Sequence, residues 1–230
     1  MDFEFSFKLF PKIAKIVLPY LRVTFSATII AFFAGTVLAA ALVKFRLSKK
    51  KLLNSIAALY VWSIRCTPTI ILIFIVFYGL PFLTQLFGIN ILGISRIFFL
   101  IISLSIMFSA TFSEVMRSAY LSINKGQREA AISVGLSESQ AFFRIVFPQA
   151  LKVALPNIGN SVIFLFKDTS LAYTIGVIDL MGKGNNYITQ HYGIHALEVY
   201  LTVGSIYWLI VICFEKTFSF LDKKVSKGAL

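Results

Sequence analysis

Long apolar runs separated by short basic clusters make up most of this chain. A helix that crosses a bilayer needs about 20 mainly apolar residues to cover roughly 30 Å of hydrocarbon. Five stretches qualify, at about residues 24–43, 56–82, 97–112, 155–178 and 199–220. The second is interrupted by Arg65-Cys66-Thr67-Pro68. Pro68 removes a helical hydrogen bond and biases Thr67 away from helix. The segment before it therefore reads as a cytoplasmic-surface helix, with the span proper beginning near Pro68. The pattern predicts an all-α membrane protein with five transmembrane helices. It divides into an N-terminal interfacial segment (1–23), a membrane domain (24–220) with a cytoplasmic loop at about 122–150, and a tail (221–230).

The loops give the orientation. Lys44, Arg46, Lys49, Lys50 and Lys51 follow the first run, and Arg117, Lys125, Arg128, Arg144 and Lys152 follow the third. Lys216, Lys223, Lys224 and Lys227 mark the C-terminus, whereas the alternate loops carry Arg96 and Lys183. Cations concentrate on the cytoplasmic side, which predicts the N-terminus outside and the C-terminus inside. Lys8, Lys12 and Lys15 depart mildly from that rule. Asp2 and Glu4 open the chain with no early apolar core and cleavage site, unlike a signal peptide. Phe3, Phe7, Phe10, Ala14 and Val17 recur at helical spacing, as in an amphipathic helix at the membrane surface.

Composition sharpens this picture. Of 230 residues, 58% are hydrophobic and 14% charged, and mean hydropathy is +0.83. That is too little polar surface for a water-soluble globule or a disordered chain. The net charge of +12 lies between apolar runs and fits membrane anchoring; nucleic-acid binding has no other support. Two Cys exclude a disulfide scaffold. Cys66 and Cys213 are expected as buried free thiols.

The polar residues inside the apolar runs carry the candidate chemistry. Lys167 and Asp168 fall near the middle of the fourth run. A charge at mid-membrane costs on the order of 2.5–3.5 kcal/mol on insertion scales, so the pair must face protein or a water-filled cavity. Either it pins two helices as a salt bridge, or its helix, with Ser161, Thr169, Ser170 and Thr174, lines a polar pathway. Ser105, Ser109 and Ser113 share one face of the third run, either lining a cavity or bonding back to helix carbonyls. Ala27, Ala31, Gly35 and Ala39 form a small-residue seam suited to close helix packing.

The loop after the third run has helical patterning and caps. Residues 127–134 read as a short helix around Glu129-Ala130-Ala131, stopped by Gly135 in a left-handed conformation. Ser137 and Gln140 have capping-box spacing, opening a second helix with Ala141, Phe142, Ile145 and Val146 up to Pro148. The two helices predict a compact cytoplasmic knob, slim enough at Ala130 and Ala131 to enter a cleft in another protein.

Here the chain resembles a known family. Glu129-Ala130-Ala131, Gly135 and Ile145-Val146-Phe147-Pro148 look like the EAA loop of type I ABC-importer permease subunits. Arg65-Cys66-Thr67-Pro68, Tyr78-Gly79-Leu80-Pro81, Lys125-Gly126-Gln127, Leu155-Pro156-Asn157-Ile158-Gly159-Asn160 and Lys167-Asp168-Thr169-Ser170-Leu171 are similar to the polar amino-acid branch. Cys66 replaces the usual glycine, and Phe112 stands where the family more often has a tyrosine-rich run before its Glu.

The resemblance implies a multi-pass protein of the bacterial cell membrane that imports a polar amino acid by alternating access. The expected partners are a second permease subunit (identical or not), two ABC ATPase subunits and an extracytoplasmic amino-acid-binding protein. ATP and Mg are expected on the ATPase, with no catalytic site, metal or cofactor on this chain. Arg128, Glu129, Ala130, Ala131 and Gly135 are implied in coupling. Lys167, Asp168, Thr169, Ser170, Ser161 and Thr67 are the candidate substrate-binding residues: the cation for the carboxylate, the anion for the ammonium, the hydroxyls beside them. No carboxylate cluster is visible, which favours a neutral or sulfur-containing amino acid such as cystine. Another small polar solute, or a self-sufficient secondary transporter, is the alternative. The chain lacks the duplicated half expected of the latter. Gly182-Lys183 is followed by Gly184 and is no Walker A sequence. His191 and His195 have helical spacing with Glu198 nearby and read as surface or interfacial residues rather than a metal centre.

Overall fold

The computed structural model describes residues 5–91 and 93–226. Asp2, Phe3, Glu4 and Lys227 lie outside them. The described elements are helices α1 (Leu9–Val17), α2 (Leu21–Arg46), α3 (Lys51–Cys66), α4 (Thr69–Leu86), α5 (Arg96–Ser122), α6 (Lys125–Ser133), α7 (Glu138–Ala141), α8 (Phe147–Asp168), α9 (Leu180–Gln190) and α10 (Ala196–Ser226). Short 3₁₀ turns join α1 to α2 and follow α8 at Thr169–Ile175. Four helical stretches are long and apolar enough to cross a membrane: Leu9–Arg46, Thr69–Leu86, Arg96–Ser122 and Ala196–Val225. A fifth qualifies as a broken span, Glu138–Ile175 followed by Leu180–Gln190 with a bend of 41°.

Helix α5 is the hub, packed against α2, α3, α4 and α8. Its contact with α2 runs along the small-residue seam, and Ala27, Ala31, Gly35 and Ala39 are all buried. A Cβ on Gly35 would lie 2.8 Å from a Phe108 ring carbon and 3.0 Å from the Ser105 carbonyl oxygen. Without side chains there, the two backbones approach closely enough for dispersion to hold them. Gly159 on α8 does the same for Phe218 of α10, whose ring carbon would be 2.7 Å from an added Cβ.

Four expectations need correction. The N-terminal segment is helical, but its buried face is Ile13 and Val17, set among Leu180, Tyr187, Val199 and Val203, while Phe7 is 78% exposed. Helices α9 and α10 offer an apolar groove, so α1 packs on protein with the face that fits it. Helix α3 is no detached surface helix. Ala57 and Val61 are buried, and the Tyr60 hydroxyl is 3.1 Å from that of Ser109, the midpoint of α5. The helix opened by the Ser137 capping box does not end at Pro148. It widens into a π turn at Phe142–Val146 and continues as α8, which accommodates a proline without an N–H to offer the preceding turn. Cys66 and Cys213 are free thiols as expected, but both are exposed on this chain, because they point away from the α5-centred core.

Candidate functional site

Two discontinuities meet inside the bundle. Thr67 and Pro68 have extended ψ values of 127° and 137° and separate α3 from α4. Helix α8 tightens into 3₁₀ geometry immediately after Asp168. The Thr69 hydroxyl, in the first turn of α4, donates to Asp168 Oδ2 at 3.1 Å and fastens one break to the other. No side chain caps α4 at Pro68. Its first N–H groups and the positive end of its dipole therefore remain available to an anion at this depth.

Lys167 and Asp168 thus sit at the end of α8 rather than mid-helix, because the 3₁₀ segment takes up the rest of the apolar run. They diverge and form no ion pair. Asp168 turns inward to Thr69. Lys167 is exposed, with Nζ 4.6 Å from the centre of the Phe164 ring. Arg65 is also exposed, four residues before Thr69.

Most of the predicted hydroxyls are engaged locally. Thr169 is fully buried and donates to the Phe166 carbonyl at 2.6 Å; Ser161 donates to Asn157 at 2.8 Å and Thr67 to Ser63 at 2.8 Å. Ser105, Ser109 and Ser113 likewise bond back to carbonyls of their own helix. Ser170 is half-buried. The exposed polar line on α8 is instead Asn157, Asn160 and Lys167 with Phe164 between them, at spacings that share one helix face. The candidate substrate-binding residues read from the sequence do not include the two asparagines, although they stand three residues apart and ten and seven residues before Lys167, spacings that are legible in the sequence.

The N-terminal end of α9 is held by a buried carboxylate. Asp179 accepts from the Gly182 N–H at 2.8 Å, and the Thr24 and Tyr207 hydroxyls each stand 3.4 Å away. Gly176 adopts φ 75°, and an added Cβ would be 2.0 Å from an Arg96 guanidinium nitrogen. His191 stacks on Tyr187 at 4.0 Å and bonds its carbonyl, and His195 Nδ1 is 3.8 Å from Glu198. Among the described residues, no three His, Cys, Asp or Glu side chains converge to hold a metal ion.

The second site is the knob. Asn124 caps α6 by accepting from the Gly126 N–H at 2.8 Å, and Gly135 turns the chain at φ 93°. Ser137 and Gln140 complete the reciprocal capping box. Arg128 Nε donates to Glu138 Oε2 at 2.9 Å, joining the knob's two halves. That hydrogen bond and the charge of Glu138 hold the Arg128 guanidinium above its ordinary pKa. Ala131 is buried within the knob, whereas Glu129 and Ala130 are exposed. Val134 is 79% and Phe143 63% exposed, apolar surface left uncovered by the described residues. A cleft of about 150 Å³ lies between the end of α5 and α6, lined by Tyr120, Asn124, Lys125, Arg128, Glu129 and Val146 among others.

Residues 31–227 match the family model described as a binding-protein-dependent transport system inner membrane component. The chain is 40% identical over 209 residues to the L-cystine transport system permease protein TcyL of Bacillus subtilis (strain 168), covering 91% of this chain and 87% of that one. It is 33% identical to the probable amino-acid permease protein YxeN of the same organism, covering 99% and 97%. Among solved structures, an amino acid ABC transporter with histidines superposes with a TM-score of 0.83 at 26% identity, covering 96% of this chain and 99% of that one. The inward-facing MetNI methionine ABC transporter shares the fold, with a TM-score of 0.69 at 20% identity and the same coverage.

Proposed function

The chain belongs to the family of binding-protein-dependent transport system inner membrane components, and from that premise we propose that it is the permease subunit of an ATP-driven importer of a polar amino acid, with cystine the favoured substrate. It is a multi-pass membrane protein of an amino-acid ABC permease family. The 40% identity to a cystine permease supports the choice of cystine. The N-terminus lies outside and the C-terminus inside, which puts the knob and the basic loops in the cytoplasm.

The observation that carries this reading is the exposed line Asn157, Asn160 and Lys167 on a membrane helix. Three polar groups there are costly against lipid. They are stable if a second permease subunit closes over this face and encloses a hydrated pathway. In that pathway Lys167 and the uncapped start of α4 attract the substrate carboxylate. Asp168, held by Thr69, supplies an acceptor toward the ammonium, with Ser170 beside it. Thr67, Ser161 and Thr169 are bonded to their own helices and shape the wall unless they rotate outward.

Coupling follows from the knob. Two ATPase subunits, which carry ATP and Mg, receive the exposed side of α6 with Glu129, Ala130 and Val134 in the contact. Arg128 and Gly135 keep the knob rigid, through the bond to Glu138 and the turn. Helices α5 and α8 enter and leave the knob. Displacement at the cytoplasmic end is therefore carried to the breaks at Pro68 and Asp168, and the bundle alternates between outward-open and inward-open states. A binding protein delivers substrate on the outer side.

The test is uptake of labelled cystine by proteoliposomes holding the complete assembly, with Lys167→Ala compared with wild type. The proposal expects uptake to fall at least about tenfold with assembly unchanged. Loss of assembly would mean that Lys167 only holds the bundle together.

A further inference from the structure

The turn between α2 and α3 concentrates positive charge, most of it in no ion pair among the described residues. Lys44, Arg46, Lys49, Lys50 and Lys51 are five cations within eight residues, and no acidic residue occurs between Glu4 and Glu114. Arg46 reaches Glu114 on α5 at 3.7 Å. The four lysines are exposed and take part in no ion pair among the described residues. Interleaved with them are exposed apolar side chains: Phe45 at 42%, Leu47 at 38%, Leu52 at 72% and Leu53 at 37%.

We propose that this turn is a binding site for the phosphate headgroup of an anionic phospholipid. The turn directly ends α2, part of the membrane-crossing stretch Leu9–Arg46, so it lies at headgroup depth. Phe45, Leu47 and Leu52 meet the acyl region while the lysine heads reach the phosphates, an arrangement long cationic side chains adopt at interfaces. A soluble acidic protein surface would satisfy the lysines but leave those apolar side chains in water. Arg46 links the site to the bundle: its guanidinium faces Glu114, which Arg117 also grips through its guanidinium. An occupied headgroup site therefore bears on the cytoplasmic half of α5, the helix that leads into the knob. The inference needs only that α2 crosses the membrane, and it stands apart from the transport reading.

The experiment uses the purified chain in mixed micelles of phosphatidylcholine and phosphatidylglycerol, with retained lipid quantified by mass spectrometry. Each cation near an anionic surface favours it by about fivefold. Wild type is expected to enrich phosphatidylglycerol at least about tenfold over the micelle composition, and added salt should release it. The triple variant Lys49→Gln, Lys50→Gln, Lys51→Gln should fall close to the micelle ratio, and the corresponding triple arginine variant should keep the enrichment. Salt-insensitive retention in wild type, or equal enrichment in the glutamine variant, overturns the proposal. So does a glutamine variant that keeps its phosphatidylglycerol but no longer co-purifies with ATPase subunits, which would assign the lysines to a protein partner. The salt titration needs no variant and decides the matter even if the substituted chains misfold.

Discussion

The Thr69 hydroxyl and the Asp168 carboxylate, 99 residues apart in sequence, are joined at 3.1 Å, and that bond ties the break between α3 and α4 to the 3₁₀ end of α8. A half-buried carboxylate that loses its donor costs up to about 1–3 kcal/mol. Thr69→Val keeps the side-chain shape and removes the donor. Uptake by the assembled transporter should fall about tenfold while the subunits still co-purify; full activity would show that the bond is dispensable to the pathway.

The exposed polar line on α8 separates lining from packing. Asn160→Leu should lower uptake severalfold and leave the thermal unfolding of the solubilised chain unchanged within a degree or two. A marked rise in stability without loss of uptake would place Asn160 against lipid instead.

Gly35 offers a stability test remote from both sites. Gly35→Val drives a branched side chain into Phe108 and the Ser105 carbonyl, an overpacking expected to cost about 1–3 kcal/mol or more. Thermal unfolding in detergent should drop by several degrees. Gly79→Ala is the control, since no neighbour lies within 4 Å of a Cβ there.

The two alanines of the knob should fail in different ways. Ala131 is buried, so Ala131→Trp should disorder α6 and expose the knob to limited proteolysis. Ala130 faces outward, so Ala130→Trp should leave the proteolysis pattern intact and abolish co-purification with ATPase subunits. Identical behaviour of the two variants would contradict the packing described. A charge exchange makes the companion experiment: Arg128→Glu should weaken the knob, and adding Glu138→Arg should restore it.

How much of this was legible in the sequence depended on whether a feature is local. The break at Pro68, the Gly135 stop and the Ser137–Gln140 box follow from backbone rules that act within a few residues, and each is where sequence put it; the seam around Gly35 shows in sequence as small residues at four-residue spacing, but its partner on α5 does not. The position of α3 beside α5 was not legible, because it depends on Tyr60 meeting Ser109, 49 residues away. The hydroxyls of Ser161 and Thr169 bond to their own helix, an arrangement the sequence alone does not distinguish from lining a pathway, because inside a membrane helix the nearest acceptor is a carbonyl of the preceding turn. The same periodicity that marks α1 as amphipathic could not tell a lipid-facing stripe from one that packs on α9 and α10. Ile13 and Val17 were settled by the partner they found.

The account is tested most directly by enclosing ATP in proteoliposomes that hold this chain with its partner permease and ATPase subunits, adding the binding protein outside, and following labelled cystine. It predicts accumulation against the gradient that requires both ATP and the binding protein and is lost with Ala130→Trp. Uphill accumulation by the purified chain alone, without nucleotide, would contradict it.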